Sequence, residues 1–299
     1  MTFPLTKTHR IQLVIGMLRP SYWIKNILVF APAYLGETLF NFQTMLHCLI
    51  AFVAICALAS SCYIFNDLND QTVDALHPAK KNRAIASGKV SPGEAVALAL
   101  VLFVSAFLLA WSEIPNLILP LLFYAAGSIL YSLVWKKWPA VDILWLAVLH
   151  TLRLVIGGAA AGVALSHWLL AFAAMFFFSL ATAKRVSELV STLDRNLTAD
   201  RSYQHNHATL LLSAGLVSGG GSVVVLILYA YHFMILPEHY THPVFLWGVV
   251  GCLALWLVYF WRSALTGKML GDPVGFAITN RGSILIGFAS LSFMTMARL

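Results

Sequence analysis

The chain has 299 residues, of which 60% are hydrophobic and only 10% are charged. Soluble domains carry about 25% charged residues, so this composition excludes an ordinary soluble protein and indicates a polytopic membrane protein. The formal net charge of +7 would suggest nucleic acid only in a soluble protein, and we expect no nucleic-acid partner here. The four cysteines have no C-x-x-C spacing, which predicts free thiols packed between helices rather than disulfides or zinc ligands.

Nine apolar stretches are long enough to cross a hydrocarbon core of about 30 Å as helices. They lie near residues 22–40, 43–66, 92–112, 116–134, 141–162, 167–184, 208–231, 243–261 and 281–298. Residues 1–20 form an amphipathic lead that we expect to lie along the lipid headgroups. The sequence therefore predicts an all-α membrane protein with about nine transmembrane helices, forming a single domain over residues 1–299.

The Lys and Arg residues alternate between loops. They concentrate at the N-terminus and after the second, fourth, sixth and eighth spans, whereas the opposite loops, near 41, 113–115, 163–166 and 232–242, contain none. Cytoplasmic loops carry such an excess, so we expect the N-terminus and the basic loops to be cytoplasmic. Most of the acidic residues lie on the same side, which this rule does not require, and both signs together indicate a polar chamber.

An acidic motif follows the second span. Asp67, Asp70 and Asp74 stand at i, i+3 and i+7, so on a continuous helix they share one face, with Asn66 one turn before Asp70. Crowded carboxylates need a cation, and Mg²⁺ binds through a few carboxylates together with substrate phosphates. A solvated loop is the alternative. Only 12 residues of the chain are acidic, and this concentration favours a Mg²⁺–diphosphate site at the membrane surface.

Basic residues flank this motif on both sides in sequence. Lys80 and Arg83 follow it in the same polar loop and are suited to phosphate oxygens. Lys25 precedes it in a segment that begins at Arg19 and adds a cation at the cytoplasmic mouth. By itself, that segment also fits an interface anchor, with Trp23 at the headgroups and Lys25 snorkelling.

A second polar cluster ends the sixth span. Lys184 and Glu188 lie one helical turn apart with Arg185 between them, which also fits a simple i,i+4 ion pair at a helix end. Downstream, Arg201 and Tyr203 add a cation and a phenol suited to phosphate oxygens.

Arg153 lies well inside a predicted span. An intramembrane arginine costs at least about 2.5 kcal/mol on insertion scales, so we expect it to face a cavity or a partner. Two readings stay open: an anion contact at the deep end of the chamber, or a buried pair with His150 or a neighbouring helix.

Together these features resemble the UbiA superfamily of intramembrane prenyltransferases, over almost the whole chain. The motif N-D-x-x-D-x-x-x-D at 66–74 carries this resemblance. Three further motifs are similar to those of the decaprenyl-phosphate phosphoribosyltransferases: R-P-x-x-W-x-K-N at 19–26, H-P-x-K-x-x-R at 77–83 and K-R-x-x-E-L at 184–189. That branch lacks the second D-x-x-x-D motif of the aromatic prenyltransferases, and so does this chain.

The resemblance implies nine helices around a central cavity, roofed by cytoplasmic loops and open sideways to the lipid of a bacterial plasma membrane. In the similar branch, a polyprenyl phosphate attacks C1 of phosphoribosyl diphosphate and diphosphate departs. A metal and cations stabilise such a leaving group, and the phosphate nucleophile is already ionised. The partners implied are thus a polyprenyl lipid, a diphosphate substrate and membrane lipids.

The resemblance also implies roles for individual residues. Asp67, Asp70 and Asp74 would hold Mg²⁺ on the diphosphate. The residues implied to contact phosphates are Lys25, Lys80, Arg83, Lys184 and Arg185. Arg201 and Tyr203 would close the roof, and Glu188 would fix Lys184 or a ribose hydroxyl.

Three positions depart from the family pattern. Ala84 stands where a proline is usual, Ser202 where a glycine is expected, and Asn280 where an acid precedes Arg281. None of them removes a proposed Mg²⁺ ligand, but they leave the donor and the acceptor open.

Two other functions compete. One is transfer of a prenyl group from its diphosphate to an aromatic or other lipid acceptor, which normally needs a second acidic pair. Glu188 and Asp194 are six residues apart and do not stack on one helical face, so they substitute poorly. The other is a non-catalytic lipid-phosphate carrier, which an internal inverted repeat would favour, and no convincing repeat is present.

Overall fold

The structure, a computed structural model, describes residues 7–78, 80–195, 207–235, 240–266, 269 and 273–299. In these ranges all regular elements are helical. The α-helices are α1 (Lys7–Leu18), α2 (Ala31–Leu35), α3 (Phe42–Asn69), α4 (Gln71–Leu76), α5 (Pro92–Glu113), α6 (Ile118–Leu133), α7 (Val141–Ala161), α8 (His167–Arg195), α9 (Ala208–Ile235), α10 (Leu246–Leu265), α11 (Pro273–Thr279) and α12 (Arg281–Arg298). Short 3₁₀ helices lie at Pro20–Phe30, Pro115–Leu117, Trp135–Lys137 and Pro243–Phe245.

Seven helices of the described chain are long and apolar enough to cross a membrane, and α11 with α12 makes up to eight if this pair, bent by 78°, is one span. The predicted all-α polytopic membrane fold is confirmed. The stretch 22–40 is not one regular helix, because it divides into the 3₁₀ segment Pro20–Phe30 and the five-residue α2. Pro20 and Pro32 stand at the starts of these two pieces, where a proline fits best.

Side-chain caps set the starts of several helices. Asn41 accepts hydrogen bonds from the backbone of Gln43 and Thr44 and so begins α3. Ser91 and Glu94 form a reciprocal capping box at α5. The departure Asn280 caps α12, since its Oδ1 accepts from the backbone N–H of Ser283 at 3.1 Å and from the Tyr259 hydroxyl at 2.9 Å.

The chain forms two compact units. Unit 1 holds residues 1–136 and 152–165, and unit 2 holds residues 137–151 and 166–299. In unit 1, Met17, Ile64, Ile85 and Ala95 form a buried core cluster. In unit 2, α8 packs along α9 and α10. The single-domain reading, the central cavity and the cytoplasmic orientation stay predictions.

Glycines allow close helix packing, most clearly at two positions. A Cβ added to Gly157 of α7 would lie 2.2 Å from the backbone oxygen of Val29 in the 3₁₀ segment, and one added to Gly215 of α9 would lie 2.4 Å from the Trp261 ring of α10. The four cysteines are buried and free, as the sequence predicts.

Candidate functional site

The acidic motif lies at a break between two helices. α3 ends at Asn69, and Asp70 stands between α3 and α4 with φ −96° and ψ 7°. The expectation of one continuous helical face is therefore wrong. Asp67 and Asp74 are buried and Asp70 is partly exposed. The break brings the first and last carboxylates together and leaves Asp70 with different partners.

Arg83 joins the two buried carboxylates. Its Nη1 donates to Asp67 Oδ1 at 3.0 Å and to Asp74 Oδ2 at 2.6 Å. Lys80 Nζ lies 4.0 Å from Asp74 Oδ1. Backbone hydrogen bonds from Lys80 to His77 and from Arg83 to Lys80 turn the loop back toward the motif. The structure thus brings together the acids and the cations of the polar loop, as the sequence predicts.

Arg19 is a third partner of the motif. Its Nη2 donates to both carboxylate oxygens of Asp67, at 2.6 and 2.8 Å. The guanidinium also lies over the rings of Tyr63 and Tyr22, 5.3 and 5.9 Å from their centroids. Arg19 has a left-handed backbone, with φ 52° and ψ 58°, which costs a residue with a Cβ roughly 1–2 kcal/mol. Arg19 is not among the site residues that the sequence predicts, although it begins the motif R-P-x-x-W-x-K-N at 19–26.

Asp70 pairs with a residue from a distant part of the chain. Lys136 Nζ lies 2.6 and 2.7 Å from its two carboxylate oxygens and 3.3 Å from Asn66 Oδ1. Asn66 Nδ2 in turn donates to Asp70 at 3.2 Å. Lys136 is not among the site residues that the sequence predicts, because its place in a basic loop indicates only topology. Its position in a basic loop was a signal, but 66 residues separate it from Asp70, and no local pattern gives such a pairing.

The donor set fits a hard divalent cation. Within the described ranges no three carboxylate, imidazole or thiol groups converge closely enough to hold an ion. However, Mg²⁺ is usually held by one or two carboxylates plus substrate phosphates. Asp67 and Asp74 already converge on one cationic atom, Nη1 of Arg83. The carboxylates here thus fit the smaller, substrate-completed kind of Mg²⁺ site.

Lys25 and Arg153 lie in the interior of unit 1. Lys25 is 8% exposed, with its Nζ 4.8 Å from the Tyr22 ring centroid. Arg153 is 3% exposed, and it donates through Nε to Asn26 Oδ1 and through Nη2 to the Tyr124 hydroxyl, both at 2.9 Å. Of the two open readings for Arg153, this geometry supports a buried partner on neighbouring segments.

The 3₁₀ segment is fixed to α3 by a short chain of hydrogen bonds. Trp23 Nε1 donates to Ser60 Oγ at 3.0 Å, and Ser60 donates to the backbone oxygen of Leu18 at 2.8 Å. Asn26 Nδ2 lies 3.2 Å from the Cys56 sulfur. These bonds hold the segment that carries Arg19 and Lys25 against α3.

The second predicted cluster lies in unit 2. Arg185 is 1% exposed, and it donates to Asp142 at 2.8 Å and to Glu188 at 2.6 Å. Two carboxylates thus hold this guanidinium in the interior, and its contact with substrate phosphate stays a prediction. Lys184 is only partly buried. Arg201 and Tyr203 lie outside the described residues.

Fold and site together define a polytopic helical membrane protein with a cation-paired acidic motif at the end of a span. The family model described as "UbiA prenyltransferase family" matches residues 27–273. The chain belongs to the UbiA prenyltransferase family.

Among the proteins that are similar to it are two curated relatives and one solved structure. Uncharacterized protein y4nM of Sinorhizobium fredii is 32% identical over 97% of this chain and 57% of its own length. Decaprenyl-phosphate phosphoribosyltransferase of Corynebacterium glutamicum is 36% identical over 59% of this chain and 54% of its own length. The chain thus spans a little over half the length of these relatives. The structure of a UbiA homolog from Archaeoglobus fulgidus bound to GPP and Mg²⁺ superposes with a TM-score of 0.70, covering 95% of this chain and 98% of that one at 16% identity, which shows the fold.

Proposed function

We propose that this protein is a Mg²⁺-dependent transferase that moves phosphoribose from phosphoribosyl diphosphate to a polyprenyl phosphate. The observation that carries the proposal is the meeting of Asp67 and Asp74 on Arg83 at the end of a membrane span. The similarity to a relative named decaprenyl-phosphate phosphoribosyltransferase supports this choice of substrates.

In this proposal the carboxylates and the cations have separate roles. Asp67, Asp70 and Asp74 hold the metal, which when bound neutralises charge on the departing diphosphate. Arg83 and Lys80, whose side chains are each 31% exposed, reach the phosphate oxygens. Because the polyprenyl phosphate is already an anion, the protein orients it and needs no general base.

Further roles are proposed for single residues outside the acidic motif. Lys25, Lys184 and Glu188 are proposed to contact the donor, together with Arg201 and Tyr203. Arg153 and Arg185 are proposed as positioning residues, because both are buried against protein partners. The acidic motif is proposed to face the cytoplasm of a bacterium.

Prenyl transfer is the second candidate. The archaeal relative of the same fold was solved with GPP and Mg²⁺, and a prenyl diphosphate offers the same anionic group to this site. Glu188, which a prenyltransferase would need in a second acidic pair, is held by Arg185 at 2.6 Å. That pairing favours phosphoribosyl transfer over prenyl transfer.

A turnover assay on purified protein in nanodiscs separates the two. One mixture contains polyprenyl phosphate and radiolabelled phosphoribosyl diphosphate, and the other contains prenyl diphosphate and aromatic acids. We expect label to enter the lipid fraction in the first mixture only. Product in the second mixture alone would move the protein to prenyl transfer, and no product in either would contradict both.

A further inference from the structure

All three carboxylates of the motif are already bonded to basic side chains. Asp67 accepts from Arg19 and Arg83, Asp74 accepts from Arg83, and Asp70 accepts from Lys136. These pairs are only partly exposed, so salt screens them less than it screens surface pairs. Any cation that binds the carboxylates must therefore compete with arginine and lysine side chains for the same oxygens.

A metal and a diphosphate meet opposite obstacles at this cluster. A divalent cation alone meets several positive side chains at hydrogen-bond distance, which repel it. A diphosphate alone needs the same basic side chains as hydrogen-bond donors, and these are already bonded to the carboxylates. With both present, the phosphate oxygens would engage the basic side chains, and the carboxylates would be left to hold the metal. The two ligands thus release each other's partners.

We infer that Arg19, Arg83 and Lys136 act as exchangeable counter-ions, so that the divalent metal and the diphosphate bind with strong positive coupling and the metal binds weakly by itself. This inference rests on the proposed function and adds an order of assembly to it. It also means that the site binds a donor already complexed with the metal in preference to the metal-free donor.

Lys136 is the residue at which the exchange is best tested. Its partner Asp70 has a side chain that is 26% exposed, compared with 9% for Asp67 and 3% for Asp74. Asp70 is therefore the carboxylate that an incoming ion reaches first. Removing the Lys136 ammonium uncovers this carboxylate without touching the Arg83 bridge.

The experiment measures Mn²⁺ binding by electron paramagnetic resonance on the whole protein in nanodiscs, with and without inorganic pyrophosphate. Titrations are compared at matched free Mn²⁺, because pyrophosphate itself chelates the ion. For the wild type we expect pyrophosphate to raise the Mn²⁺ affinity at least about tenfold, within the range of coupling between linked sites. For Lys136→Met we expect the metal-only affinity to rise several-fold and the coupling to shrink. Lys89→Met, which removes the same charge from an exposed position in unit 1, is the matched control and should behave as wild type.

Equal Mn²⁺ affinity with and without pyrophosphate in the wild type would overturn the inference while leaving the metal site intact. So would a folded Lys136→Met protein with unchanged metal-only affinity. If that variant does not fold, the wild type carries the test alone, since Mn²⁺ must raise pyrophosphate affinity by the same factor. Mn²⁺ binding that is undetectable even with pyrophosphate, or that is the same in Asp67→Asn/Asp70→Asn as in wild type with pyrophosphate, would instead remove the metal site of the proposed function, and the inference with it.

Discussion

Asp67 and Asp74 accept hydrogen bonds from the same nitrogen atom, Nη1 of Arg83, at 3.0 and 2.6 Å. Asp67 is in the last turn of α3 and Asp74 in α4, so this one atom ties the end of a membrane span to the short helix that follows. A buried carboxylate without such a partner is costly. The bridge therefore both stabilises the helix break and holds two proposed metal ligands together.

Replacing Arg83 tests the bridge. Arg83→Met leaves Asp74 with Lys80 at 4.0 Å, and we expect a loss of about 1–3 kcal/mol of stability, the cost of leaving a buried polar group unsatisfied. Adding Asp74→Asn to this variant should recover part of the loss, because the unpaired charge is removed. Thermal unfolding in detergent measures both. An unchanged melting temperature in Arg83→Met would show that the bridge contributes no stability.

Two substitutions of Arg19 separate the effect of its strained left-handed backbone from the effect of its charge. Arg19→Gly and Arg19→Ala both remove the guanidinium from Asp67 and should lower turnover alike. The glycine variant should have a free energy of unfolding higher by about 1 kcal/mol, and so a higher melting temperature, because the left-handed backbone is unfavourable only for a residue with a Cβ. Equal melting temperatures of the two variants would show that the backbone at this position is not strained.

Gly157 tests the packing of the 3₁₀ segment. In Gly157→Ala the new Cβ would meet the backbone oxygen of Val29 at 2.2 Å, and a backbone atom cannot rotate away. We expect lower stability and a raised KM for the donor, because Lys25 moves with the segment. Gly220→Ala in α9 has nothing within 4 Å of its new Cβ and should be neutral or stabilising by up to about 1 kcal/mol. The same loss in both variants would rule out this contact as the cause.

Arg185 and Lys184 are neighbours with different expected roles. Arg185→Met removes the partner of Asp142 in the interior of unit 2 and should lower the melting temperature, while the folded fraction keeps its KM for the donor. Lys184→Met should do the reverse and raise the donor KM with little change in melting. Steady-state kinetics beside unfolding curves distinguish the two. A raised KM in Arg185→Met at unchanged stability would indicate that Arg185 does contact substrate phosphate, which its burial argues against.

Local patterns in the sequence predict much of the fold. Runs of apolar residues mark seven helices that match predicted spans, and the Ser91–Glu94 box marks the start of α5. Proximity of the Lys80–Arg83 loop to the acidic motif was also predictable, because they are separated by a short turn. These features depend on neighbouring residues, and a sequence shows neighbours directly.

Pairings between distant residues could not be predicted. Lys136 reaches Asp70 from after α6, and Arg19 reaches Asp67 from before the 3₁₀ segment, which depends on how helices pack. Arg185 could not be told from a phosphate-binding cation, because burial depends on Asp142, which lies 43 residues away. The helix break at Asp70 was missed because the spacing of the three carboxylates also fits one face of a continuous helix, although Asn69 and Asp70 are residue types that favour helix ends and turns.

The most direct test of the proposed carboxylate–metal site is label transfer from phosphoribosyl diphosphate to polyprenyl phosphate. Transfer is measured with Mg²⁺ and with a chelator, in wild type and in Asp67→Asn/Asp70→Asn. We predict labelled lipid only for the wild type with Mg²⁺, and native-like melting of the variant would show that the loss is chemical. Transfer by the double variant at the wild-type rate, or transfer by the wild type under full chelation, would contradict the carboxylate–metal site.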